Sequence, residues 1–143
     1  MATSYRFYHD ASLTQEITAL NPLAATQATD GSLPAVDTLI YFGSTVTGNK
    51  AQVTSNPGVD SIVVSIVDSN AGSGAPASEF KLALSSGALD GAVAGNPLTL
   101  TATLNSGVSN AIPIYTRRTS ALTVAANHSD ISLATQDLTE SPV

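Results

Sequence analysis

Turn-forming clusters punctuate this sequence at short intervals, and that spacing constrains the fold more than any other feature. Asp30-Gly31, Thr47-Gly48-Asn49, Asn56-Pro57-Gly58, Ala71-Gly72-Ser73-Gly74, Asp90-Gly91, Gly95-Asn96-Pro97 and Asn105-Ser106-Gly107 each combine residues that bend a chain. A sandwich or barrel of short antiparallel strands produces such a pattern. The residue types agree. Val, Ile, Thr and Tyr are common, while Glu, Lys and Arg, the usual material of exposed helix faces, are scarce.

Between the turns lie the strand candidates. Residues 5–9 form a short aromatic run, and residues 36–42 a longer one stopped by Gly43. Residues 61–67 are almost continuously β-branched, which predicts a central strand buried on both faces. Phe80, Leu82 and Leu84 alternate with other residues, as do Leu98, Leu100, Ala102 and Leu104, so each run has one buried face. Residues 111–116 contain Pro113, which cannot donate to a ladder and so predicts an edge strand or a bulge. Leu122 with Val124, and Ile131 with Leu133, complete the set. The expected fold is all-β: an immunoglobulin-like antiparallel β-sandwich of about seven to nine short strands.

Two stretches stand apart from that scheme. In residues 11–33, Leu13, Ile17 and Leu20 recur at helical spacing before the small-residue tract of residues 24–29; the stretch reads more easily as an extended arm than as a turn of helix. Residues 136–143 are polar and acidic and read as a solvated or partner-bound tail. The expected organisation is therefore an N-terminal strand and arm over 1–35, a sandwich over 36–135 and a polar tail over 136–143.

Composition deletes function classes. The chain has 143 residues, one domain's worth, and only 11% are charged, against about 25% in an average protein. Five basic residues against eleven acidic ones give a net charge of −6, so there is no basic face for nucleic-acid phosphates or anionic lipid. No apolar run reaches the roughly 18 residues of a membrane helix. The opening residues lack the apolar core of a secretory signal. Without cysteine there are no disulfides, thiol nucleophiles or Cys-zinc sites.

The remaining candidates for chemistry are few. His9 beside Asp10 could orient a serine nucleophile, but no G-x-S-x-G elbow accompanies the pair, and a histidine at a strand end is the simpler reading. His128, in Asn127-His128-Ser129, lies in a turn within a glycosylation sequon that is read as chance. Asp68 to Glu79 partly matches a calcium loop, yet Gly72 occupies a ligand position and Ser73 stands where glycine is needed. Arg117-Arg118 is the one basic cluster; on a strand the two side chains point to opposite faces, to fork onto a partner's carboxylates or to balance this chain's own acids. No catalytic constellation, cofactor site or metal site is expected.

Three stretches read together carry a likeness. They are Phe7-Tyr8-His9-Asp10 with Leu13-Thr14; Asn56-Pro57-Gly58-Val59-Asp60 running into Ile62-Val63-Val64-Ser65-Ile66-Val67-Asp68; and Leu98 to Arg118, with Ser106-Gly107-Val108-Ser109-Asn110-Ala111-Ile112-Pro113-Ile114. From about residue 5 to residue 118 the chain resembles small virion structural proteins of tailed bacteriophages, which decorate the capsid or build accessory parts of the tail. The resemblance implies no enzyme activity, a location in the virion and partners such as the major capsid protein or other virion proteins, in many copies. The expected partner interface is Leu13, Ile17, Leu20 and Leu23 of the arm, with Arg117 and Arg118. Within this class the alternative is a tail, collar or baseplate component. Outside it the rival is a carbohydrate-binding or adhesin-like module, for which Tyr8 and Tyr115 are the candidate stacking residues.

Overall fold

The computed structural model describes residues 3–23, 37–69, 77–118 and 131–143. Among the described residues the protein is all-β, with ten strands in three antiparallel sheets. In chain order the strands are β1 (Arg6–Tyr8), β2 (Asp37–Gly43), β3 (Asn49–Val53), β4 (Val63–Asp68), β5 (Phe80–Ala83), β6 (Leu98–Thr99), β7 (Leu104–Asn105), β8 (Ile112–Arg118), β9 (Ile131–Thr135) and β10 (Leu138–Pro142). One turn of α-helix, α1 (Ala88–Gly91), follows β5, and 3-10 turns occupy Ala77–Glu79 and Val108–Asn110.

The four-stranded sheet has the order β1-β2-β8-β5, and the two three-stranded sheets have the orders β10-β3-β7 and β6-β4-β9. Alternation explains how they close on one core. Ile40 and Phe42 of β2, Ile114 of β8 and Leu82 of β5 are buried from the four-stranded side. Ala51 and Val53 of β3, Leu104, Leu138, and Val64 with Ile62 meet them from the other two sheets, and Tyr5 completes the cluster. The chain passes between the two smaller sheets through Gln136 and Asp137, which join β9 to β10, and again between β6 and β7. The result is sandwich-like, as the turn spacing predicts, with more strands than expected. The expected strand at Leu122 and Val124, the tract of residues 24–29 and the sequon at His128 lie outside the described residues.

Several local expectations are corrected. β4 is central in its sheet, but only one face is buried: Val64 is sealed while Val67 is exposed. β8 is an interior strand despite Pro113, because β5 pairs only with residues 115–118 and, among the described residues, no strand stands opposite the proline on that side. Residues 136–143 are not a solvated tail. Leu138 to Pro142 pair with β3 from Val53 to Asn49, driven by the burial of Leu138 against Val53. Nor is the N-terminal segment separate from the sandwich, since β1 pairs with β2 and Tyr5 lies in the core.

Candidate interaction surface

The arm after β1 turns back along it. Asp10 organises the turn: its carboxylate accepts the backbone N–H groups of Thr14 (3.0 Å) and Gln15 (2.9 Å) and the Thr14 hydroxyl (2.7 Å). The Thr14 hydroxyl foremost, with those backbone donors, holds the Asp10 carboxyl below its ordinary range. Leu13 adopts a left-handed backbone, φ 53°, that drives its side chain inward beside Gly43. The returning chain then bonds to β1 through Ile17 N–H to the Phe7 carbonyl (2.8 Å), with Glu16 opposite Tyr8. No helix forms here, so the helical spacing of Leu13, Ile17 and Leu20 has no structural counterpart.

This path separates the four apolar arm residues. Leu13 is buried in its own domain, and Ile17 and Leu23 are partly buried against the same core. All three are used by the fold. Leu20 is 99% exposed. It sits in a turn closed by reciprocal backbone bonds between Thr18 and Asn21 (3.2 and 3.1 Å). The Thr18 hydroxyl accepts the Leu20 and Asn21 N–H groups, and the Asn21 amide donates to the Glu16 carbonyl. His9 Nε2 lies 3.1 Å from the Asn21 carbonyl. The backbone of the turn is held this way, so what remains to be ordered on binding is the Leu20 side chain.

His9 and Asp10 are thus both committed to shaping the arm, His9 towards Asn21 and Asp10 towards Thr14 and Gln15. The two arginines of the expected interface are also committed within the chain. Arg117 forks onto Asp37, directly opposite it on β2, and reaches Asp90 on α1 with Nη1 (2.7 Å). Arg118, on the other face, contacts Glu79 (3.1 Å) and lies over the Phe80 ring at 5.7 Å. Arg6 pairs with Glu16 at 3.5 Å. All three arginines of the chain therefore serve intramolecular ion pairs. Among the described residues no group of three or more His, Cys, Asp or Glu is placed to hold a metal ion.

The aromatic residues divide by face. Phe42 stacks with Phe7 at 4.8 Å and with Tyr5 at 6.0 Å inside the sandwich. Tyr41 and Tyr115 occupy alternate positions to Ile40, Phe42 and Ile114, so they stand on the opposite side of the four-stranded sheet, half-buried. Tyr8 shares that side but is buried. The sequence reading did not single out Tyr41, although its alternation with Ile40 and Phe42 carries the signal. No protein-family model, curated protein or solved structure matches the chain.

Proposed function

We propose that this protein is a non-enzymatic virion structural protein of a tailed bacteriophage, and more narrowly a capsid decoration protein that binds between capsid subunits. The sequence resemblance suggests the class. The observation that carries the binding role is Leu20: a fully exposed leucine at the tip of a hydrogen-bonded turn, whose arm neighbours Leu13, Ile17 and Leu23 pack against their own domain. A few buried anchors contribute most of the energy in protein interfaces, and pre-organised ones lose least on binding. The all-β body and its sparse charge fit a particle in which many copies pack closely, since few ions need be stripped of water.

The test has two parts. Mass spectrometry of purified virions, calibrated against the major capsid protein, should find about one copy per capsid subunit or one per three. A handful of copies would move the protein to the tail, collar or baseplate, and absence would overturn the virion reading. Leu20→Asp should then abolish binding to capsids lacking the protein while the variant melts like the parent. Unchanged binding would remove Leu20 from the interface. Deleting the whole N-terminal segment is the wrong test, because β1 and Tyr5 belong to the core.

A carbohydrate-binding module is the second reading, favoured by Tyr41 and Tyr115 on the outward side of the four-stranded sheet. A glycan screen with a hit lost in Tyr41→Ala or Tyr115→Ala would promote it.

A further inference from the structure

Glu140 points the wrong way for an edge-strand carboxylate. It stands opposite Ala51 of β3, which stands opposite Leu104 of β7. Residues in register project to one side of a sheet, and Ala51 and Leu104 are both buried in the core. Glu140 therefore projects from the edge strand β10 towards the space between sheets. Inward charges on edge strands discourage pairing with other chains, but this one also has a built environment.

Everything that meets the carboxylate there is a donor. The Ser4 backbone N–H reaches Oε2 (2.8 Å), while the Ser4 hydroxyl (2.8 Å) and the Asn49 amide (2.9 Å) both reach Oε1. The Ser4 hydroxyl also bonds to that of Ser44, which is fully buried. The N-terminal segment, β3 and the C-terminal strand are thus joined through one carboxylate. Among the described residues no cation lies within ion-pair distance of it. Arg6 on β1 acts on it by charge, and Tyr5 beside it feels the carboxylate in return. From β3 the residue sharing its face is Asn49, while Lys50 is in register with Ser141 on the other face.

A proton disturbs this arrangement wherever it binds. On Oε2 it confronts the Ser4 N–H, donor against donor. On Oε1 it sets an O–H against the Asn49 amide donor and reverses the Ser4 hydroxyl, which then accepts from the carboxyl and donates to Ser44. In both cases the charge assistance is lost.

We propose that Glu140 is a protonation-controlled latch: its carboxylate clamps Ser4, at the entry of β1, to the C-terminal strand, and its protonation frees Ser4 while β1 and Tyr5 stay packed in the core. The titration of Glu140 is consistent. Burial pushes its carboxyl up, but the Ser4 and Asn49 hydrogen bonds and the Arg6 charge prevail and hold it below the ordinary glutamate value. The clamp is therefore closed at neutral pH and opens as the pH falls below the ordinary glutamate value of about 4.3. This inference is independent of the virion reading.

Nuclear magnetic resonance on the isotope-labelled protein tests it without a partner. The Ser4, Tyr5 and Arg6 amides should shift together with the Glu140 carboxyl carbon as the pH is lowered, with the Ile40 and Ile114 amides unmoved. Hydrogen-exchange protection of the Ser4 amide, corrected for intrinsic rates, should fall about tenfold or more across that step. Glu140→Gln, which places an N–H2 among the same donors, should show the acid-form positions already at pH 7. If the Ser4 amide keeps its protection until the whole protein unfolds, or if Glu140 titrates at or above the ordinary value, the latch is refuted. Should Glu140→Gln fail to fold, the wild-type titration alone decides.

Discussion

Arg117 and Asp37 stand directly opposite each other on β8 and β2, and the guanidinium closes on the carboxylate with two parallel hydrogen bonds. The bond from Arg117, then its charge, holds the Asp37 carboxyl below its ordinary range. The sign of the pH effect follows. As the pH falls, the unfolded chain takes up this proton first, at about pH 3.9, and the folded state only lower. The stabilisation is complete above that value and is lost as the pH falls through the folded pKa. Asp10 and Glu140 act in the same direction. The urea midpoint should be flat near neutrality and decline below about pH 4, and Asp37→Asn should show a shallower decline than the parent. An unchanged slope would show that the pair does not couple to folding. Arg117→Lys, which keeps the charge but not the fork, should behave like a broken pair.

Gly43 ends β2 where a side chain would be crowded. A Cβ there would stand 3.0 Å from the Ala111 Cβ, 3.1 Å from the Ala111 Cα and 3.3 Å from Leu13 Cδ1. Two of these atoms belong to Ala111, at the entry of β8, which would have to give by a few tenths of an ångström. Gly43→Ala should destabilise the protein by about 1–3 kcal/mol, and Gly43→Val by more. Combining Gly43→Ala with Ala111→Gly should restore part of the loss, because it removes one contact and leaves the Cα. Thermal melts of the single and double variants check this; full additivity of the two changes would mean that the atoms do not compete.

The outline of this fold was legible in the sequence wherever apolar residues run together or alternate strongly. β1, β2, β4, β5, β8 and β9 fall on runs such as Leu39-Ile40-Tyr41-Phe42 and Val63-Val64-Ser65-Ile66. β3 and β10 were not. Asn49-Lys50-Ala51-Gln52-Val53 buries only Ala51 and Val53, and β10 buries Leu138 but spends the next inward position on Glu140. A strand whose inward set is an alanine and a valine, or a leucine and a carboxylate, carries little periodic signal. The arm was half legible for a related reason. Four apolar residues were visible there, but whether each packs inward depends on the left-handed turn at Leu13 and the closed turn at Thr18–Asn21. Likewise the partners of Arg117 and Arg118 follow from strand register, which brings residues some 80 and 39 positions apart into contact.

Gln136 substitutes for a backbone residue at the corner between two sheets. Its side-chain Oε1 accepts the Val63 N–H at 2.8 Å, and its Nε2 donates to the Ser61 carbonyl at 3.2 Å. The amide thus extends the pairing of β4 past the point where β9 ends. The site is exposed, so water replaces part of what is lost on truncation. Gln136→Ala should cost about 1 kcal/mol. Gln136→Glu keeps the acceptor for Val63 but sets a carboxylate against the Ser61 carbonyl, and should cost more at pH 7 than at pH 3. Equal losses at both pH values would rule out the mimicry.

Tyr5 governs the alkaline limit. Its ring is buried in the core and its hydroxyl donates to the Leu104 carbonyl at 2.7 Å, tying the entry of β1 to β7. Burial first, then the Glu140 charge, push its pKa up to about 12. A raised phenol pKa means that the folded state holds the proton more tightly than the unfolded chain, which releases it near pH 10. Stability from this group is therefore complete below pH 10 and lost as the pH climbs towards 12. Tyr8, also raised by burial, adds to the loss. Tyr5→Phe leaves the Leu104 carbonyl without its donor and should cost about 1–2 kcal/mol at pH 7. The variant should nonetheless lose less stability than the parent between pH 9 and pH 11, since one proton release is gone. Denaturation midpoints across that range, with tyrosinate absorbance followed in parallel, separate the two effects. A variant whose alkaline decline matches that of the parent would place the titrating group elsewhere.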